Sequence, residues 1–176
     1  LGRTSEAATL YRRAAGIALE AKDYKSAAIA YQGLAASAAT LSQAQAIANE
    51  GLRYARSANA DLWECNLLAT LGWISHLKGE LETAELAYQQ ANSLKWSDDP
   101  EEMGLFSILG VQYARFLLAT GRTAQSRESA ERNLPICQKR NWKESVAYCK
   151  CLLGDISLNE GDISEAMECF TEALEI

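Results

Sequence analysis

One histidine, His76, bounds the chemistry this chain can carry. Catalytic triads and most histidine metal sites need a His beside oriented partners. His76 stands in "GWISHLKG", three residues after Trp73. On a helix those two side chains share a face. Five cysteines, Cys65, Cys137, Cys149, Cys151 and Cys169, form an odd and irregularly spaced set. That argues against a disulfide framework and for a reducing, cytoplasmic compartment. Cys149 and Cys151 lie at i and i+2, so on a helix they point to different sides, and no second pair completes a zinc site. They read as buried free thiols, which behave as small hydrophobes. Asp98, Asp99, Glu101 and Glu102 form an acidic group that suits a helix N-terminus. Glu165, Glu168, Glu172 and Glu175 recur at three- and four-residue steps, the pattern of a solvated helix face. Paired-carboxylate hydrolysis needs a shaped cleft, and nothing in the sequence marks one. Neither G-x-x-x-x-G-K-[ST] nor G-x-G-x-x-G occurs. The expectation is a protein that is not an enzyme, with no metal and no cofactor.

The elements that position these residues are helices. Hydrophobic residues make up 48% of the 176, many of them Ala, and only 2 Pro and 11 Gly interrupt them. Ala, Leu, Glu, Gln, Arg and Lys are good helix formers, and β-branched residues are too scattered for a sheet. The fold class is therefore all-α. A formal charge of −6 argues against nucleic acid as a partner. No apolar run approaches the roughly 18–20 residues of a membrane span. The opening "LGRTSEAATLYRR" lacks the apolar core of a signal peptide.

A period of about forty residues organises the chain. The closing stretch sets Leu153-Gly154, Gly161, Ala166, Phe170, Ala173 and Leu174 in order. One step back stand Tyr113-Ala114, Gly121, Ser126, Ala130, Asn133 and Leu134; another gives Leu71-Gly72, Gly79, Ala84, Tyr88 and Ala91. A further step gives Tyr31-Gln32, Ala39, Ala44, Ala48, Gly51 and Leu52, and Gly2, Ala7, Tyr11 and Ala14 fit half a unit more. Gly79, Gly121 and Gly161 each end a helical stretch, where the left-handed conformation is needed. Small residues at Gly72, Ala114 and Gly154 let two helices approach closely, and Tyr88 and Phe170 fill the space between them. Such a hairpin buries its faces only by stacking on others.

This pattern resembles the tetratricopeptide repeat, most clearly at 64–94 and 144–174, with 104–138 closer to it than anything before residue 60. A finer likeness, carried by "LKGELETAELAYQQANSL", "LFSILGVQYARFLLATGR" and "RNWKESVAYCKCLLGDISL", is to the helical repeat tails of bacterial STAND-class signalling NTPases. Members of that group commonly carry an aromatic, a Ser and Gly-x-x-Tyr before a Leu-rich helix end; here these are Phe106, Ser107, Gly110 and Tyr113. Where the group usually has Cys-Asp, this chain has Ala114-Arg115. The resemblance implies a right-handed α-α superhelix of about nine antiparallel helices. It also implies a concave groove lined by the first helix of each unit. By that implication Asn66, Trp73, His76, Gln112, Arg115, Tyr148, Asp155 and Asn159 face a protein or peptide partner. For Trp73 and His76 the alternative is packing between helices, and for Arg115 an ion pair within the chain.

The predicted helices cover about 4–21, 24–38, 41–58, 61–78, 81–95, 101–120, 123–139, 142–159 and 162–176. Thr4 or Ser5 would cap the first, Asp23 the second and Thr40 the third. "KWSDDPEE", 95–102, is the clearest loop, with Trp96 the most exposed tryptophan, while Trp63 and Trp142 anchor packing. Pro135 should kink or end its helix. The whole of 1–176 is expected to be a single repeat domain, with units at 1–21 (half a repeat), 23–58, 61–95, 101–139 and 142–176. Leu1 and Ile176 fall inside the periodic pattern, so the chain reads as a piece of a longer protein. Three functions fit: a protein-interaction scaffold or sensor arm, a small-molecule or peptide receptor, and a module that self-associates through its terminal repeats.

Overall fold

The computed structural model describes residues 2–94 and 104–176, with side chains from residue 6 onward. Among the described residues the chain is all-α. The helices are α1 (Gly2–Glu20), α2 (Tyr24–Ala36), α3 (Leu41–Ser57), α4 (Asp61–Leu77), α5 (Leu81–Ser93), α6 (Ser107–Ala119), α7 (Thr123–Lys139), α8 (Lys143–Glu160) and α9 (Ile163–Leu174). They fall into two compact units, Leu1–Met103 and Gly104–Ile176.

One turn recurs six times. After α1, α3, α4, α6, α7 and α8 a backbone N–H reaches back five residues to a carbonyl. These bonds are Asp23 to Ala18 at 2.8 Å, Ala60 to Ala55 at 3.0 Å, Glu80 to Ser75 at 2.9 Å, Arg122 to Leu117 at 2.9 Å, Trp142 to Cys137 at 3.0 Å and Asp162 to Ser157 at 2.9 Å. This closure needs a left-handed residue just before the donor. Gly79, Gly121 and Gly161 supply it as expected, and Lys22, Asn59 and Asn141 supply it elsewhere. Asp23 and Thr40 cap their helices, accepting from Ser26 N at 3.1 Å and Gln43 N at 3.2 Å. Asp162 likewise caps α9.

The small residues do what their spacing implied. A Cβ on Gly72 would sit 3.1 Å from the Tyr88 ring, and one on Gly154 would sit 2.6 Å from Phe170. Glycine therefore sets how closely α4 meets α5 and α8 meets α9. Between α6 and α7 the pair is polar: Ser126 donates to the Ala114 carbonyl at 2.7 Å. In the first unit Tyr88, Leu67, Cys65 and Ala91 are all at most 1% exposed; burying a large apolar side chain is worth about 2–3 kcal/mol. In the second, Val111, Ala114, Ala130, Cys137, Cys149, Leu152, Leu153, Ile156 and Cys169 form one cluster.

Two local expectations change, and at Pro135 one of the two expected outcomes, an early helix end, does not occur. α1 already begins at Gly2, so Thr4 and Ser5 lie inside it and do not cap it. α7 runs through Pro135 to Lys139. Burial of Asn133 and Cys137 on either side of the proline holds the helix despite the missing N–H. α6 begins at Ser107, not near 101, because Phe106 is extended and Ser107 has φ +59°. The expected loop at 95–102, Trp96 and the acidic group at 98–102 lie outside the described residues.

Candidate functional site

The start of α6 is fixed by one buried side chain. Asn133, on α7, accepts from Ser107 N at 2.6 Å and donates to the Ser107 carbonyl at 2.8 Å. It thus gives both hydrogen bonds that a neighbouring backbone would give. Its Nδ2 also lies 3.3 Å from Cys149 Sγ. Gly110 leaves the room: a Cβ there would fall 2.8 Å from Asn133 Nδ2 and 2.8 Å from the Leu105 carbonyl. Ser107 Oγ and Ser145 Oγ stand 2.9 Å apart, tying α6 to α8. Phe106 stacks on Trp142 with centroids 5.8 Å apart and planes 7° apart. The Arg140 guanidinium lies 5.7 Å over the same indole. The aromatic, Ser and Gly of the Phe106–Tyr113 motif are therefore parts of a lock on the α6 start. Its Tyr113 instead lines a cleft of about 280 Å³ with Leu117, Gln125, Glu128, Ser129 and Arg132.

That lock shapes a larger cleft of about 480 Å³ at the beginnings of α6 and α8, lined by Ser107, Ile108, Trp142, Lys143, Glu144, Ser145 and Tyr148. Ile108 and Tyr148 are exposed at its edge. From there two rows of side chains run along the helices. Ile108, Gln112 and Arg115 follow i, i+4, i+7 on α6; Tyr148, Cys151, Asp155 and Asn159 follow i, i+3, i+7, i+11 on α8. Arg115 Nη2 lies 3.5 Å from Asp155 Oδ2, both about two-fifths exposed. A pair so exposed contributes little to stability. Arg115 is thus engaged within the chain, and its grip on a partner's carboxylate would have to compete with Asp155. Asn159 accepts from Thr123 Oγ1 at 3.1 Å.

The other three expected residues lie on α4, in the first unit. Trp73 and His76 meet edge to face at 5.2 Å, and both are half-buried, as is Asn66. Burial depresses the His76 pKa. A neutral imidazole against an indole edge suits packing and hydrogen bonding to an uncharged ligand group.

The acidic face of α9 needs correction. Glu165 is not simply solvated: Arg127 Nη1 and Nη2 each donate to it at 3.1 Å, and Ser157 Oγ donates at 2.7 Å. Arg127 also bonds Glu160 at 2.5 Å and approaches Glu131 at 3.7 Å. These partners raise the Arg127 pKa, and Arg127 in turn holds the Glu165 carboxyl below its usual range. Glu172 pairs with Lys150. Glu168 and Glu175 remain exposed. The network ties α7, α8 and α9 together.

All five cysteines are free thiols, and all but Cys151 are buried. Burial pushes the Cys149, Cys137 and Cys169 thiols up. Among the described residues, no group of three His, Cys, Asp or Glu side chains is placed to hold a metal ion. No helix among them is long and apolar enough to cross a membrane.

Sequence reasoning missed the cleft and the Asn133 lock. One signal was available: Ser107 and Ser145 stand 38 residues apart, close to one period, so the repeat itself puts both at equivalent helix starts.

With this geometry in hand, the comparisons with known proteins concern its repeats. The tetratricopeptide repeat family model matches residues 147–176, most of α8 and all of α9. The last hairpin is therefore similar to that repeat. Among solved structures, the chain is similar to one described as "Crystal structure of MamA protein". The TM-score is 0.51 at 16% sequence identity, over 99% of this chain and 92% of that one. At that identity the likeness is one of fold. A comparison with curated protein sequences returned no match.

Proposed function

We propose that this chain is a non-catalytic protein-interaction module whose α6/α8 face takes a peptide or surface segment of a partner protein. The observation that carries the reading is the 480 Å³ cleft, walled by Trp142, on which Phe106 stacks, and edged by Ile108 and Tyr148. It continues into the polar row of Gln112, Arg115, Asp155 and Asn159. A pocket with an apolar edge beside a row of polar side chains is how interfaces seat one anchoring side chain and hold the flanking chain. In the first unit, Asn66, Trp73 and His76 would present a second patch of the same character. The free thiols and buried cysteines suit a cytoplasmic setting. Within a longer signalling protein of the STAND type the module would be the sensor arm. Partner binding would then act on an attached effector only through different affinities for its two states.

Peptide display on the purified chain tests the reading, followed by titration of a selected peptide. Tyr148→Ala and Ile108→Asp should each weaken binding by about tenfold, the loss expected of an anchor contact. Leu86→Ala, exposed on α5, should leave it unchanged. Equal binding by all variants would remove the cleft from recognition. Peptides that never bind, with a small polar metabolite that does, would favour the receptor reading.

A further inference from the structure

The smaller cleft, of about 280 Å³, opens between α6 and α7. α7 supplies Gln125, Glu128, Ser129 and Arg132 at i, i+3, i+4 and i+7, so the four share one helical face. α6 supplies Tyr113 and Leu117, one turn apart and on the side away from Ile108, Gln112 and Arg115. At this spacing a helix facing a neighbour normally carries apolar residues. Here all four residues of α7 are polar.

Ser129 is the informative one. It is 7% exposed, and its hydroxyl has no hydrogen-bond partner among the described residues. Hydroxyls on helices can donate to the carbonyl four residues back. Ser37, Ser57, Thr70, Thr120, Ser157 and Thr171 all do so. Ser129 does not. Solvation accounts for the exposed Gln125, Glu128 and Arg132, but a buried hydroxyl left unpaired is unfavourable. Glu128 and Arg132 add a second observation. A Glu four residues before an Arg is the favourable order for an ion pair on a helix. Yet no ion pair joins these two among the described residues, although Arg127 and Glu131, in the reverse order on the same helix, approach to 3.7 Å.

We propose that this cleft binds a small zwitterion, a free α-amino acid. Its carboxylate meets Arg132 and its ammonium meets Glu128. The two side chains stand one turn apart, with Cβ atoms about 5–6 Å from each other. An α-amino acid carries both charges on groups that flank one carbon, which fits between them. A guanidinium grips a carboxylate through paired N–H donors. Ser129 donates to the same carboxylate and so gains the partner it lacks. Tyr113 and Leu117 wall the side of the cleft that takes the ligand's own side chain. The volume lies below the roughly 300–1,000 Å³ of ordinary small-molecule sites, so one amino acid fits it and a peptide does not. The site is distinct from the α6/α8 face.

Melting of the full purified chain with each standard L-amino acid at about 10 mM is the first test. One with an apolar side chain should raise the melting temperature by about 5 °C at about a hundred times its Kd. Calorimetric titration of that amino acid then reads the groups. Its decarboxylated amine and its N-acetyl derivative each lack one charge, and each should bind about tenfold more weakly or worse. Arg132→Gln and Glu128→Gln, both at exposed positions, should weaken binding by about as much. Ser129→Ala should also weaken it about tenfold, yet leave the melting temperature of the ligand-free chain undiminished, because the unpaired hydroxyl does not hold the fold. Leu86→Ala should leave the titration unchanged. The inference is overturned if no amino acid shifts the melting temperature, or if the amine and the N-acetyl derivative bind as well as the parent. It is also overturned if Arg132→Gln and Glu128→Gln keep full affinity, or if Ser129→Ala loses stability without losing affinity. Peptide binding at the α6/α8 face is read separately, so either site can fail alone.

Discussion

At the residue scale, Asn133 is the side chain on which most depends. It is 1% exposed and answers both backbone groups of Ser107. Truncation would leave a buried N–H and a carbonyl without partners, and it would open a small void. Asn133→Ala should therefore cost about 2–4 kcal/mol in urea unfolding. Asn133→Asp should cost at least as much, because a carboxylate cannot donate to the Ser107 carbonyl. A loss under about 0.5 kcal/mol, the range of an ordinary surface change, would mean that the lock is dispensable. His76 gives a pH prediction. Its folded pKa lies below the ordinary 6.5 because burial disfavours the charged ring. The unfolded chain therefore takes up the proton first, and the stability held by the neutral ring is complete above about pH 6.5 and lost as pH falls through the folded value. Between about pH 8 and pH 5, the melting temperature of the wild type should fall further than that of His76→Gln. Parallel pH profiles would contradict the burial of the ring. Cys151 offers a reporter. It lies between Tyr148 and Asp155 on the α6/α8 face and is the one cysteine that is not buried. It should react with iodoacetamide well before the other four, and a peptide bound on that face should slow it.

At the element scale, the same turn closes six helices, but only half of those turns use glycine. The spacing of Gly79, Gly121 and Gly161 made three of them legible. Lys22, Asn59 and Asn141 have the same left-handed backbone without that signature, and Asn is the usual second choice at this position. α7 shows the reverse, a strong local signal that does not end its helix. Pro135 costs a helix about 3 kcal/mol in isolation, yet α7 continues past it. Cys137 is buried in the second core with Ala130, and Asn133 must reach Ser107 from the same helix. Pro135 itself points to solvent. Pro135→Ala should restore a backbone donor at no packing cost and raise stability by about 1–3 kcal/mol. No gain would mean that α7 has already relaxed around the ring. Helix number and class were legible because small, large and turn residues recur with the period. The start of α6 was not, because Phe106 and Ser107 take their backbone angles from Asn133, 26 residues away. The cleft follows from that start, so it too was hidden. The rows along α6 and α8 came from the resemblance, which supplies the face but not the pairing of Arg115 with Asp155.

At the scale of the molecule, the division at Met103 and Gly104 separates two sets of contacts, each with its own core. The second unit holds all nine buried residues of its cluster, from Val111 to Cys169. It also holds both ends of the network that joins Arg127 to Glu160 and Glu165, both ends of the Asn133 lock, and every residue that lines the 480 Å³ cleft. A repeat array has roughly additive stability from its units and their neighbours, so a segment that owns its core can fold without the rest. Few residues and a modest core work against it, since small domains bury a lower share of their surface. Residues 104–176 expressed alone should be helical and unfold in one cooperative step. The dependence on urea should fall in proportion to chain length, because that slope tracks the surface exposed. A peptide selected on the full chain for the α6/α8 face should bind this segment with similar affinity. Cooperative unfolding with lost binding would move part of the recognition surface to the first unit, where Trp73 and His76 lie. A segment without a cooperative transition would show that its core needs residues before Gly104.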